Sequence, residues 1–433
     1  MLPTLVSTDA VALAIPDDSN PFLAQVKPFP AERTARYNAL FSNGRLGERL
    51  EDVRKLKDEK EFFAPSECHL SAGHSIVDAV RDSYFHRNPT NPQLAGFLGR
   101  QAQVLRTHRI QAFPRAAISG QCIIVAGPPG IGKGVFRRRI RAYIGTDVIP
   151  HGSIPPAIQY VRQLPYVEMQ FPGNMKVDTL SHLLLMQIDS QVHGVAFNDS
   201  QGQPSRGSLL RPRLYAQAGA VGLGLLYLYG LDAHRLSLRS AMECLNFLQE
   251  FAEYTGVPVV CSSTYAIWGL MNGASVSALQ LGDRAVHRFD YVPLESDWRA
   301  LVNAFLKRYR LSISTEEVDV SSRKLIPPRL LRDSGAGLMK PTWFEVKLMA
   351  ETLGVPKQLF NFLAELWVVL NKKKENEAIV EPTDFAKASV QYRKATSGLR
   401  ANLSILLSKD KCSEEETARF SDWLLPEQRA WQW

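Results

Sequence analysis

The stretch Cys122-Ile-Ile-Val-Ala-Gly-Pro-Pro-Gly-Ile-Gly-Lys-Gly134 decides how this chain is read. Its five leading residues are an apolar run short enough for a buried strand. Directly after them comes the phosphate-loop pattern G-x-x-x-x-G-K-S/T with one change, Gly134 in place of the hydroxyl residue. Glycines let backbone N–H groups converge on phosphate oxygens, and a lysine at this position reaches the β and γ oxygens. Gly127, Pro128, Pro129, Gly130, Ile131, Gly132, Lys133, Gly134 and Val135 are therefore the candidate nucleotide-binding residues, with ATP or ADP as the expected ligand. The usual Ser/Thr is the loop's ligand for Mg²⁺. Glycine has no side chain for that task, which leaves magnesium an open question.

Working outward, the pattern alternates between strand and helix. Strands are predicted at Gln121–Ala126, Leu164–Phe171, Val221–Leu228 and Val257–Ser263, with helices at Gly134–Ile144, Val177–Ile188 and Leu238–Thr255. Apolar runs separated by amphipathic helices imply a parallel sheet covered on both faces, with ligands bound beyond the carboxyl ends of its strands. Before this core, Leu46, Leu50, Val53 and Leu56 share one helical face, Ser75 is read as the cap of a second helix, and a third runs from Gln93 to Thr107. After it, a helix from Ser296 and a largely helical stretch from Trp343 to Ala395 complete the layout. The organisation expected is an extended arm (1–30), a helical N-terminal region (31–115), an α/β phosphate-loop core (116–295), a small helical lid (296–400) and a C-terminal tail (401–433).

A hydrolase built on such a loop needs a carboxylate at the end of a neighbouring strand for the metal shell, and usually a second to activate water. At the predicted end of Val221–Leu228 stand Tyr229 and Gly230. Asp232 comes just after them, and reaches a metal only if the strand's register bulges. The loop hydroxyl and the strand-end acids are thus missing together, which argues against efficient hydrolysis. Ser262-Ser263-Thr264 ends the next strand, where a polar residue either senses a γ-phosphate or caps the segment from Tyr265.

With 433 residues and 45% apolar content, the chain can bury a large core, and its formal charge of +8 favours polyanions such as nucleic acid. No apolar run is long enough for a membrane span, and the N-terminus lacks a basic region ahead of an apolar one, so a membrane or secreted protein is not expected. Five widely spaced cysteines without a C-x-x-C pair read as core residues of a reduced, cytoplasmic protein and not as a zinc site. The nine histidines form no metal-binding pattern either. Arg137, Arg138 and Arg141 share a side of the helix after the loop, either as a basic stripe or as a solvated face. Trp423, Trp431 and Trp433 in the polar tail fit either a partner's groove or the chain's own lid.

Several motifs taken together carry a family resemblance. They are the glycine loop, Val167-Glu-Met-Gln-Phe171 with Pro172, the helix Met242-Glu-Cys-Leu-Asn-Phe-Leu-Gln-Glu-Phe251, Thr255-Gly-Val-Pro-Val-Val260, Arg288-Phe289 and Gly354-Val-Pro356. Over roughly Ala31 to Ala395 the chain resembles the TnsC/TniB group of AAA+ ATPases, regulators of DNA transposition, and more distantly MuB. The resemblance implies an AAA+ core with a helical lid, phosphate cradling by Lys133 and its glycines, and Lys357 as the lid's basic residue toward phosphate. It makes Arg284 and Arg288 candidates for a residue supplied to a neighbour's nucleotide. Lys176, Arg206, Arg211 and Arg213 become DNA-binding candidates, through sequence-independent contacts to backbone phosphates.

The family's two strand-end acids would fall on Tyr229 and Gly230, and its metal-binding hydroxyl on Gly134, so those roles do not carry over. The implied partners are double-stranded DNA, a transposase, target-selection proteins, and further copies of the chain or an active AAA+ paralogue. The function expected is an accessory regulator of transposition with weak or absent ATP hydrolysis. The alternatives are an active nucleotide switch of signalling or defence type, with metal held by Asp232 or Ser262, and a nucleotide-free scaffold.

Overall fold

In a computed structural model of the chain, the residues described are 20–43, 62–107, 113–151, 162–193, 210–269, 285–294, 296–309, 311–315, 323–331, 341–371 and 379–428. The helix read around Leu46–Leu56, the polar loop 193–208, Arg206, Arg284, Trp431 and Trp433 lie wholly or almost wholly outside them.

Five strands form one sheet: β1 (Cys122–Ala126), β2 (Tyr166–Gln170), β3 (Leu225–Leu231), β4 (Val259–Ser263) and β5 (Ala285–Arg288). The strand order is β2-β3-β4-β1-β5, and every neighbouring pair is parallel. Side chains alternate between two cores. Ile123, Val125, Tyr166, Leu225, Tyr227 and Val260 enter one, while Ile124, Ala126, Val167, Leu226, Leu228 and Cys261 enter the other. Burial on both faces is why the central strands β1 and β3 read as continuous apolar runs, whereas β2 carries Glu168 and Gln170 and β5 carries His287 and Arg288.

The helices follow in chain order as α1 (Arg33–Leu40), α2 (Glu67–His86), α3 (Pro92–Thr107), α4 (Lys133–Ile144), α5 (Val177–His193), α6 (Leu210–Ala220), α7 (Ala241–Thr255), α8 (Ser296–Tyr309), α9 (Trp343–Thr352), α10 (Pro356–Asn371), α11 (Pro382–Ser408) and α12 (Glu414–Arg419). Phe136, Ile140 and Ile144 of α4 join the first core with residues of α2 and of α8–α11; α5, α6 and α7 close the second. This is an α/β fold with a parallel sheet and a C-terminal helical region, as the sequence predicts. Among the described residues no single helix is long and apolar enough to cross a membrane.

Four elements differ from their sequence reading. Helix α2 starts at Glu67, with Ser66 as its cap, so Ser75 lies well inside it. Strand β3 begins at Leu225: Gly222 adopts a φ of +54° in a turn packed on Phe22, and a Cβ at Gly224 would run into the Pro165 carbonyl and the Tyr84 hydroxyl. The strand then continues through Tyr229 and Gly230 to Leu231. Strand β5 and helix α6 have no counterpart in the sequence reading.

Two features place the site. The register pairs Ala126 with Ser263 on one side and with Arg288 on the other, so the ends of β1, β4 and β5 meet at one edge. The lid is tied together by Glu351 of α9, which is buried and receives Arg393, Arg400 and Ser389 from α11.

Candidate functional site

The phosphate loop leaves β1 at Gly127 and turns into α4 at Lys133. Gly130 and Gly132 have φ of +85° and +108°, the left-handed region that only glycine enters without strain. Gly132 caps α4, whose amino end presents the unsatisfied N–H groups and positive dipole that suit a phosphate. Gly127 is held by its N–H on the Ser263 carbonyl at 3.3 Å, and a Cβ there would collide with the Phe289 carbonyl. The lid meets the loop directly: the Lys357 N–H donates to the Gly130 carbonyl at 3.1 Å, and a Cβ on Gly130 would lie 3.1 Å from both Lys357 and Val355. The Lys357 side chain is exposed beside it.

Lys133 turns back onto its own loop, donating to the carbonyls of Gly127 and Pro128. Burial lowers its pKa to about 7, with Asp422 pulling the other way. A desolvated ammonium held by two neutral carbonyls gains when an anion arrives, because an oppositely charged oxygen then faces it in place of carbonyl dipoles.

The strand ends carry the departures from a hydrolase. Between Leu228 and Leu231 the register of β3 shifts, and Gly230 sits at a φ of +84°, so the strand does bulge there. Asp232 nevertheless faces other work. Its Oδ1 accepts the Arg235 N–H, capping a short helix at Ala233–Leu236, and its Oδ2 pairs with the Arg235 guanidinium at 2.7 Å. Tyr229 lies under the Arg137 guanidinium, 3.5 Å from the ring centroid, where a cation–π contact replaces any acid chemistry. Ser263 donates to the Leu231 carbonyl. Thr264 accepts the Ala266 N–H at 3.4 Å and donates its hydroxyl to Asp422 at 2.5 Å, so capping and a link to the tail coexist there. Among the described residues no group of three or more His, Cys, Asp or Glu is placed to hold a metal ion.

Two residues at this edge carried no sequence signal. His69 of α2 is fully enclosed beside Phe63, Phe136 and Phe289. Its Nδ1 accepts the Ser66 N–H, which puts the proton on Nε2, and among the described residues Nε2 has no partner although it lies 3.6 Å from where a Cβ on Gly132 would stand. Burial depresses its pKa to about 3, so the ring is neutral. The other is Asp422, which reaches the same edge from the tail.

The basic candidates separate. Arg137 and Arg141 both pair with Glu168 of β2, at 3.3 and 3.1 Å, and Arg139 donates to the carbonyls of Leu40 and Phe41; these three knit α4 to its neighbours. Arg211 pairs with Glu243 and Glu250 of α7. Arg213 is partly buried on α6. Lys176 is exposed just ahead of α5, after Met175 at a φ of +49°. Arg288 pairs with Asp290 at 2.5 Å and with Glu427 at 2.9 Å; burial opposes its charge, but these two carboxylates hold it firmly protonated.

Gly134 offers a direct test of the missing hydroxyl. A Cβ added there meets nothing within 4 Å. Gly134→Ser is therefore expected to fold at least as stably, gaining about 0.5 kcal/mol from helix propensity. It should also raise magnesium-dependent ATP affinity about tenfold, or about 1.4 kcal/mol. Calorimetric titration with and without MgCl₂ reads this; unchanged affinity would mean that the ion does not approach Gly134.

No protein-family model and no curated protein matches the chain. Solved structures with a similar chain path include Cdc6p from Pyrobaculum aerophilum, at 12% identity and a TM-score of 0.36, covering 77% of this chain and 81% of that one. The Aeropyrum pernix ORC2 protein, in ADPNP–ADP complexes, aligns at 15% identity and a TM-score of 0.36 over 71% of this chain and 72% of its own. The Drosophila ORC bound to DNA aligns at 14% identity and a TM-score of 0.35, over 92% of this chain and 76% of that one. Likeness at this level does not decide ligand or partner.

Proposed function

We propose that this chain is an AAA+-type nucleotide-binding regulator with weak or absent hydrolysis, acting on DNA as an accessory protein of transposition. The observation that carries the nucleotide part is a complete phosphate cradle whose strand end is spent on other contacts. Gly130, Gly132 and the amino end of α4 are built for phosphate, Lys133 lies within the loop, and Lys357 sits against it from the lid. These residues fit a nucleotide's phosphates. The magnesium positions on the loop and on β3 do not fit their usual role, because Gly134 has no hydroxyl and Asp232 is engaged by Arg235. Binding without efficient turnover is the result, since removing electrostatic groups of this kind costs orders of magnitude in rate.

The DNA part rests on net charge and on the family resemblance. The formal charge of +8 favours a polyanion, and exposed Lys176 together with Arg213, and Arg206 beyond the described residues, would contact backbone phosphates. Arg211 contributes less, because Glu243 and Glu250 already neutralise it. Assembly as a homo-oligomer, or with an active AAA+ paralogue, and contact with transposase and target-selection proteins in the cytoplasm complete the reading.

A mobility-shift assay with duplex DNA tests it. Binding is expected at low salt in the presence of ATP, independent of sequence. Affinity should fall about tenfold or more between 50 and 200 mM salt if several phosphates are contacted. Lys176→Glu should weaken it uniformly across sequences. Absence of any shift, with or without nucleotide, would remove the DNA part and leave a nucleotide-binding protein of another kind.

A further inference from the structure

The tail after α11 folds back across the carboxyl edge of the sheet. It is well anchored there: Leu424 and Leu425 are buried, and the buried Gln428 amide donates to the carbonyls of Leu406 and Lys409. The Tyr291 hydroxyl donates to the Trp423 carbonyl at 2.8 Å, and Glu427 receives both Arg288 and Arg329. These contacts bring Asp422 to the end of β3. Its Oδ1 accepts the Ala233 N–H at 2.8 Å, just past Leu231 and Asp232, and the Thr264 hydroxyl at the end of β4. Oδ2 forms no hydrogen bond or ion pair among the described residues.

From this placement we infer that Asp422 of the C-terminal tail supplies the metal-side carboxylate that strand β3 lacks, making the tail part of the nucleotide site. The inference rests on the nucleotide reading above. Three observations converge on it. The strand-end position is vacated by Tyr229 and Gly230, and Asp232 is held by Arg235. A carboxylate nonetheless stands between the ends of β3 and β4, fixed through one oxygen only. That carboxylate is also the charge that acts on Lys133 across the site. One carboxylate is enough for the purpose, since Mg²⁺ keeps several waters and is commonly held by one or two carboxylates plus the nucleotide's phosphates. Because Oδ1 is anchored on a backbone N–H and a hydroxyl, the group is oriented before any ion arrives.

The test is ATP and ADP binding by calorimetry, in MgCl₂ and in EDTA, for wild type, Asp422→Asn and Asp422→Glu, with thermal unfolding as the check on folding. Asparagine keeps the acceptor oxygen for Ala233 and Thr264, so the tail should stay docked and the melting temperature should hold. Wild type is expected to bind ATP several-fold more tightly with magnesium. Asp422→Asn should lose that gain while keeping its magnesium-free affinity, and Asp422→Glu should retain part of it. A magnesium gain preserved in Asp422→Asn overturns the inference and leaves the nucleotide reading standing. So does an asparagine variant that binds ATP more tightly in EDTA and in magnesium alike, which would make the tail a repulsive plug. Wild type that binds neither nucleotide under either condition overturns the nucleotide reading and this inference with it.

Discussion

Lys133→Ala is expected to weaken ATP and ADP binding by roughly 10- to 150-fold, the equivalent of about 1.5–3 kcal/mol for a charged hydrogen bond in a shielded site. Among the described residues the wild-type ammonium bonds the Gly127 and Pro128 carbonyls of its own loop. Removing it leaves those two carbonyls beside glycine-rich backbone and creates no buried charge, so little stability should be lost and the binding defect reads cleanly. The lysine's ionisation adds a second signature. Burial holds its pKa near 7 in the free chain, whereas phosphate oxygens favour the cation. Above pH 7 the free chain therefore carries a largely neutral amine that must take up a proton on binding. Affinity should fall as pH rises from 7 to 9, and the calorimetric heat at pH 8 should vary with the ionisation enthalpy of the buffer. Lys133→Ala should abolish that buffer dependence. A wild-type titration with no proton uptake would place the bound phosphates away from Lys133.

How far the sequence reaches into this site depends on whether the information is local. Strands β1 and β4 are readable within a few residues because each begins as an apolar run and is closed by a loop, and β2 because Tyr166-Val167 and Phe171 bracket its polar residues. Strand β3 is misplaced because Val221 to Leu223 close helix α6 and do not open the strand: the N–H groups of Val221, Gly222 and Leu223 return to the carbonyls of Gln217, Gly219 and Ala218, with Gly222 at a φ of +54°. The start of α2 escapes for a chemical reason. Its capping box pairs Ser66 with His69, an imidazole where a Glu or Gln is the expected signal, so Ser75 looks like the better start.

The glycine loop is fully legible, and so is the loss of its hydroxyl. The fate of the basic residues is not: Arg137 and Arg141 form a helical stripe by spacing, but Glu168 answers them from a neighbouring strand. The tail is the extreme case. Asp422 meets Thr264 and Ala233 across 158 and 189 residues, and nothing in Ser421-Asp422-Trp423 announces a partner at that distance. A loop read alone thus looks like a site stripped of its metal chemistry, and only the return of the chain brings a carboxylate to the ends of β3 and β4.

The second large effect is expected at the joint between lid and loop. Gly354→Ala should destabilise the protein by about 3 kcal/mol, adding roughly 1–2 kcal/mol for a non-glycine residue in the left-handed region to roughly 1–3 kcal/mol for forced displacement in a packed interior. Gly354 has a φ of +68°, and the Cβ itself would strike the Val292 carbonyl. Because the colliding atom is the first of the side chain, alanine should already carry most of the cost, and valine only somewhat more. The consequence for function comes from the bonds this turn holds. The Gly354 carbonyl accepts the Val292 N–H, just beyond β5, and three residues later the Lys357 N–H donates to Gly130 of the phosphate loop. Moving Gly354 pulls both bonds, so nucleotide affinity should fall together with stability. Gly134→Ala is the matched control: the same added methyl, on a helix, into open space. It should stabilise by up to about 1 kcal/mol, the glycine-to-alanine helix difference. Denaturant unfolding of the two variants should therefore shift in opposite directions. If Gly354→Ala unfolds at the wild-type denaturant concentration, the lid is not seated on the loop through this turn, and Lys357 loses its claim to the nucleotide site.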